Sequence, residues 1–231
     1  VTRAASGWDD LERRIVACER CPRLRAWCRK VAKEKRSAFR DETYWGRPVP
    51  GFGDRNARVL LVGLAPAAHG ANRTGRMFTG DSSGDWLYAA LHRAGFANRE
   101  RSERKGDGLR LVGAYVTATC RCAPPDNKPS REEIEACRPF LDEEFERLDR
   151  LTTVVGLGRI AWEAILRRAR AIDPGRLEPR RPLFAHGAEA RGVIRAGGPE
   201  VRILASYHPS RQNTQTGRLT REMLDAVIGR V

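Results

Sequence analysis

The chain has 231 residues, 41% hydrophobic and 31% charged, a composition that excludes intrinsic disorder and leaves enough chain to close a core without disulfide staples. No apolar run approaches the roughly 18–20 residues of a membrane span, and Val1-Thr2-Arg3-Ala4-Ala5 opens without an apolar leader stretch, so membrane and secreted classes are set aside. Lys and Arg total 43 against 29 acids, a formal +14 that favours a polyanionic partner over a merely solvated basic surface, although gene composition alone can enrich arginine.

In chain order, Trp8 to Ala17 reads as a short amphipathic helix with Leu11, Ile15 and Val16 on one face. It delivers Cys18 and Cys21, and Pro22 is expected to break the chain there. Residues 29–58 read as charged and irregular. Val59-Leu60-Leu61-Val62-Gly63 is a continuous apolar run, the pattern of a parallel strand buried on both faces. A Gly-rich loop runs to Asp81, and residues 84–95 read as a helix stopped by Gly95. Leu111 to Thr119 is a second strand. Ser130-Arg131-Glu132-Glu133 is a capping box opening a helix of about 20 residues with Ile134, Cys137 and Leu141 along one side. Thr152 to Leu157, Arg159 to Arg170, Val201 to Tyr207 and a helix from about Thr220 complete the pattern. Residues 173–200, rich in Pro, Gly and Arg, receive no assignment. Strands alternating with helices predict a three-layer α/β/α sandwich on a mainly parallel four-stranded sheet. With no internal repeat and no interdomain linker, residues 1–231 are expected to form a single domain.

Six cysteines lie at 18, 21, 28, 120, 122 and 137. Cys18-x-x-Cys21 and the pair Cys122 and Cys137 suggest two halves of one metal site, set against a collection of buried thiols. Four thiolates suit zinc or an iron–sulfur cluster, and spacing alone does not choose.

Ligands of open parallel sheets sit beyond the carboxyl ends of the strands. Three loops leave such ends here, over residues 63–81, 120–129 and 206–220, and they supply an acid, a histidine and exposed backbone amides on one edge. Gly63-Leu64-Ala65-Pro66-Ala67, Phe78-Thr79-Gly80-Asp81, and the run from His208 through Ser210-Arg211-Gln212-Asn213-Thr214-Gln215-Thr216-Gly217-Arg218-Leu219 to Thr220 resemble the motifs of the uracil-DNA glycosylase superfamily. The closest likeness is to its family 5, the type B enzymes, and it spans about residues 15–228.

The resemblance implies a DNA N-glycosylase that hydrolyses the N-glycosidic bond of uracil and other deaminated or damaged bases, starting base excision repair. It implies a [4Fe–4S] cluster on Cys18, Cys21, Cys122 and Cys137, which leaves Cys28 over, and Cys120 as a buried thiol. Glycosylases act on a base that has left the stack. His208 would donate a hydrogen bond to the departing base, where negative charge gathers. Asp81 would hold the attacking water, although Asp before Ser82-Ser83-Gly84 is equally a helix N-cap. Phe78 would stack on the base, with Gly63, Ala65 and Pro66 in the pocket wall and Asn127 supplying a polar contact. Arg211, Gln212, Asn213 and Arg218 would contact the DNA backbone and the widowed base. Ala65 and a position near Ala118 stand where other members carry polar readers, which implies a broad base range. Expected partners are uracil-containing or damaged DNA and no membrane, with the chain a monomer in the cytoplasm, at the nucleoid in a bacterium. A non-catalytic nucleic-acid-binding protein with a structural metal is the rival reading. A branch that links covalently to DNA through an inserted basic loop ranks third, since no such insertion follows motif one.

Overall fold

The computed structural model describes residues 3–231; the opening Val1-Thr2, read above as leaderless, lies outside the described residues. One sheet organises the chain, in the order β1-β3-β2-β4-β6-β5. The strands are β1 (Phe52–Gly53), β2 (Val59–Gly63), β3 (Ala114–Ala118), β4 (Thr153–Leu157), β5 (Glu189–Val193) and β6 (Glu200–Ser206). The inner four, β3, β2, β4 and β6, run parallel, and β1 and β5 pair antiparallel at the two edges.

The helices are α1 (Arg3–Val16), α2 (Pro22–Glu34), α3 (Ala71–Thr74), α4 (Ser82–Arg93), α5 (Arg131–Arg147), α6 (Arg159–Ile172), α7 (Arg211–Gln215) and α8 (Arg221–Ile228). Side chains alternate across a strand, so β2 feeds both faces. Leu60 and Val62 join Leu11 and Ile15 of α1, Phe140 and Phe145 of α5, and Trp162 and Ile165 of α6. Val59 and Leu61 join Leu87 and Leu91 of α4 and Leu224 and Ile228 of α8. Every residue of β2 is buried, which is why its apolar run is unbroken. The sandwich is therefore three-layered, as expected.

The sheet has six strands where four were expected. Both additions are edges: β1 has two residues, and β5 reads Glu-Ala-Arg-Gly-Val, with Arg191 exposed and no apolar run. Pro22 does not break the chain. It occupies the first turn of α2, where its missing N–H would be unpaired in any case, and Leu24, Cys28 and Val31 form the buried stripe of that helix. The irregular stretch thus starts after Glu34. The helix at 131–147 is opened by the capping box, with Ser130 N donating to Glu133 Oε2 at 2.7 Å and Glu133 N donating to Ser130 Oγ at 3.3 Å. The polar loop after β6 is not wholly irregular, since α7 lies within it.

Candidate active site

The loop from Leu64 to Asp81 is braced from inside. Asn72 is fully buried, and its amide donates to Ala68 O at 3.3 Å. Arg73 donates from Nε to His69 O at 2.8 Å and from Nη2 to Gly80 O at 2.9 Å, and pairs with Glu42. Arg76 makes a two-pronged contact to Asp107 at 2.8 and 2.7 Å while its Nε meets Thr79 Oγ1 at 2.9 Å. Burial opposes the charge on Asp107. Arg76 and the backbone N–H groups of Leu109, Arg104 and Glu103 outweigh it and hold that carboxyl well below the ordinary carboxylate range. Tyr44 Oη and His69 Nδ1 meet at 3.0 Å and tie the loop to the segment after α2.

Phe78 closes this loop at φ +50 and is 9% exposed, so little of its ring is free. The ring lies on the α carbon of Gly63, where any Cβ would come within 2.8 Å of it. Ala118 is paired beside Gly63 at the ends of β2 and β3, and both are buried. The Phe78 and His208 rings are 5.8 Å apart at 30°. His208 follows β6, and its carbonyl accepts from Asn213 Nδ2 at 2.9 Å. Burial alone pushes the His208 pKa down to about 4, so its imidazole is neutral at pH 7. A neutral imidazole still carries one N–H donor.

Asp81 is the N-cap of α4, its Oδ1 accepting from Gly84 N at 3.0 Å. The other oxygen, Oδ2, rests against the α carbon of Gly70, which leaves no room for a side chain at 70. Burial raises the Asp81 pKa, against the lowering effect of the Gly84 and Ser83 N–H groups. The capping role expected for this residue is thus met through Oδ1, while Oδ2 packs against Gly70. Asp81 also borders a surface depression with Arg73, Glu42, Ser82, Asp85 and Arg104.

The remaining sequence candidates divide. Ala65 is half-buried and Pro66 buried on the first loop. Asn127 is exposed on a 3-10 turn at φ +56. Arg211 and Gln212 are exposed at the start of α7, and Arg218 lies 4.8 Å over the Tyr207 ring. Asn213 turns inward to the His208 carbonyl, so its amide nitrogen orients the histidine. Sequence reading missed the bracing by Asn72, Arg73 and Arg76. The only signal was their density between Gly70 and Phe78.

Cys18, Cys21, Cys122 and Cys137 line one small cavity, walled also by Leu24, Phe140 and Arg121. Cys28 and Cys120 are buried beside it, with Cys28 Sγ donating to Ala123 O at 3.5 Å. Arg121 N donates to Cys137 Sγ at 3.3 Å, and the buried Arg121 Nε has no partner. Such a wall suits an anionic occupant with sulfur acceptors. Among the described residues, no three Cys, His, Asp or Glu converge closely enough for a single ion.

Comparison with known proteins follows this geometry. The model of the uracil DNA glycosylase superfamily matches residues 50–230. The chain is 51% identical over 220 residues to a type-5 uracil-DNA glycosylase of Mycobacterium leprae, covering 95% of this chain and 92% of that one. It is 53% identical over 214 residues to a type-5 uracil-DNA glycosylase of Thermus thermophilus, covering 93% and 92%. A type-4 uracil-DNA glycosylase of Pyrobaculum aerophilum is 28% identical over 204 residues, covering 85% and 79%. The parallel sheet and these identities agree: the chain belongs to the uracil-DNA glycosylase superfamily, within its type-5 branch.

Proposed function

We infer that this chain is a DNA N-glycosylase that hydrolyses the bond between uracil and deoxyribose, the opening step of base excision repair. The observation that carries the reading is His208: a neutral imidazole at a strand end, against Phe78, with its backbone held by Asn213. As the C1′–N bond lengthens, negative charge collects on the base. A donor already oriented in a desolvated site stabilises that charge without reorganising. Desolvation disfavours the charged imidazole, so the donor on offer is the single N–H of the neutral ring. Asp81 Oδ2 is the group assigned to the sugar side, where a carboxylate holds water and offsets developing positive charge. Phe78 is the ring proposed to stack on the base, with Gly63, Ala65 and Pro66 beside it.

Several finer features belong to the same reading. The strand ends at Gly63 and Ala118 carry no polar reader, which supports release of deaminated purines besides uracil. The enzyme is read as monofunctional, with water and not a lysine amine attacking the sugar, which the trapping experiment below tests. Cys18, Cys21, Cys122 and Cys137 would hold a [4Fe–4S] cluster. When bound, that group would cross-link the α1–α2 junction to α5 and to the loop after β3. Asn127, Arg211, Gln212 and Arg218 remain proposed contacts to DNA. Every residue invoked lies in one chain, so a single-domain monomer suffices. Among the described residues no helix is long and apolar enough to cross a membrane. The working compartment is that of the DNA, the cytoplasm with its nucleoid in a bacterium.

The test is single-turnover release from duplexes carrying uracil or hypoxanthine, with borohydride trapping of any imine. Release of both bases without a trapped adduct is expected. DNA binding without release of any base would replace this reading with the non-catalytic one.

A further inference from the structure

The stretch without a sequence assignment, residues 173–200, supplies a second histidine to the loop that carries His208. β5 runs antiparallel to β6, with Glu189 opposite Leu204, so the residues before Glu189 lie beside the carboxyl end of β6. Backbone contacts fix them there. Gly187 N donates to Ala205 O at 2.8 Å, and Ala205 N donates to Ala188 O at 2.9 Å. Arg230 closes the same corner, donating from Nη1 to Gly187 O at 2.8 Å. His186, half-buried, therefore projects from a braced segment.

This imidazole meets both ends of the loop after β6. Tyr207 N donates to its Nδ1 at 3.1 Å, and its Nε2 stands 3.1 Å from Met223 O, in the first turn of α8. A backbone N–H only donates and a carbonyl only accepts. The two partners thus require a neutral ring with its proton on Nε2. Burial works in the same direction, lowering the His186 pKa against the raising effect of the Met223 carbonyl. The His186 and Tyr207 rings are 5.2 Å apart at 44°. Tyr207 lies one residue past the end of β6, so the imidazole takes the place of a strand carbonyl. The backbone around His208 is then held on both sides, just before it by His186 and at its own carbonyl by Asn213 Nδ2 at 2.9 Å.

We propose that His186 is a positioning residue for base release: its Nδ1 fixes the backbone at Tyr207 and so aims the His208 imidazole at the departing base. The proposal rests on the glycosylase reading. Its test sets His186→Asn and His186→Gln beside wild type. Asparagine carries an acceptor where Nδ1 stands, and glutamine carries a donor where Nε2 stands. Misplacing a catalytic group by about 1 Å can cost about 10²-fold. Single-turnover uracil release at saturating enzyme should therefore fall about 10-fold or more in His186→Gln and less than about threefold in His186→Asn, with DNA affinity within about twofold in both. Hydrogen exchange at the Tyr207 amide should follow the rates, slow in wild type and His186→Asn and fast in His186→Gln. Nitrogen NMR of wild type should show the Nε2–H tautomer. Equal rates in the two variants, an Nδ1–H tautomer, or Tyr207 exchange untouched by glutamine would overturn the assignment. A wild-type chain that releases no uracil, while Tyr207 exchange still separates the variants, would instead remove the glycosylase reading beneath it.

Discussion

Two loops meet at the Phe78–His208 pair, and they use arginine in opposite ways. Between Leu64 and Asp81, Arg73 and Arg76 point inward and spend their hydrogen bonds on carbonyls, Thr79 and Asp107. Between Tyr207 and Thr220, Arg211 and Arg218 face solvent. The same residue type is a brace where a carboxylate or carbonyl lies within reach and a free cation where none does. The pocket side is thus preorganised and the DNA side adaptable. Arg73, Arg76 and Arg121 are buried and each is paired with an acid, so the formal +14 resides on the other residues.

The sharpest break of this contrast is thermodynamic. Arg76→Met leaves Asp107 as an unpaired buried charge and should cost about 3–5 kcal/mol, whereas Arg211→Ala should stay within about 0.5 kcal/mol. Urea denaturation of both variants decides; equal midpoints would dissolve the distinction. The next effect is chemical. His208→Ala should slow single-turnover uracil release by about 10²-fold or more with little change in DNA affinity, and a near-wild-type rate would take His208 out of the mechanism.

Asp81 separates two roles within one side chain. Asp81→Asn keeps an N-cap acceptor and Asp81→Ala removes it, so only alanine should lower stability, by about 1 kcal/mol. Both should slow base release to a similar, large extent. Melting curves set beside rates read this directly, and an active Asp81→Asn would confine the residue to capping.

The pH dependence follows from His208. Its folded pKa of about 4 lies below the unfolded value of about 6.5, so the unfolded chain binds the extra proton first. Stability should therefore decline from this group as pH falls from about 6.5 to about 4. Base release, which needs the neutral ring, should show no step near pH 6.5. A titration of the rate with a midpoint there would place the imidazole in water. The smallest effect is electrostatic: Arg211→Ala should flatten log affinity against log salt by about one unit if it meets one phosphate.

Much of this was legible in the residues. The unbroken apolar run of β2, the capping box of Ser130 and Glu133 and the turn-flanked strands each follow from local chemistry, and each stands where it was read. The four thiols at 18, 21, 122 and 137 were paired by spacing and do line one cavity. What escaped depended on distant partners. The pairing of β1 with Tyr115 and Val116 is a tertiary fact, invisible in a two-residue strand. Pro22 was judged as a breaker because its position in a helix, not its identity, decides its effect. Asn213 looks like a solvent-facing reader until the His208 carbonyl is found beside it. Likewise Arg121 and Glu144, 1% and 0% exposed and 2.6 Å apart, appear in the sequence only as two more charges.

The cysteine cavity has a consequence for the unfolded chain. The superfamily match begins at residue 50, yet half of the thiols around the cavity precede it, at 18 and 21. An occupant held by all four would close a loop of roughly 100 residues between Cys21 and Cys122. By the chain-entropy argument for cross-links, a loop of that length removes about 4–5 kcal/mol of freedom from the denatured ensemble. Removing such an occupant should then act first on folding, releasing the α1–α2 segment from the sheet, while the chemistry at His208 would follow only through the loss of folded protein. Iron assays and refolding yields of Cys122→Ala against Cys28→Ala would expose this, because only the first of these two thiols faces the cavity.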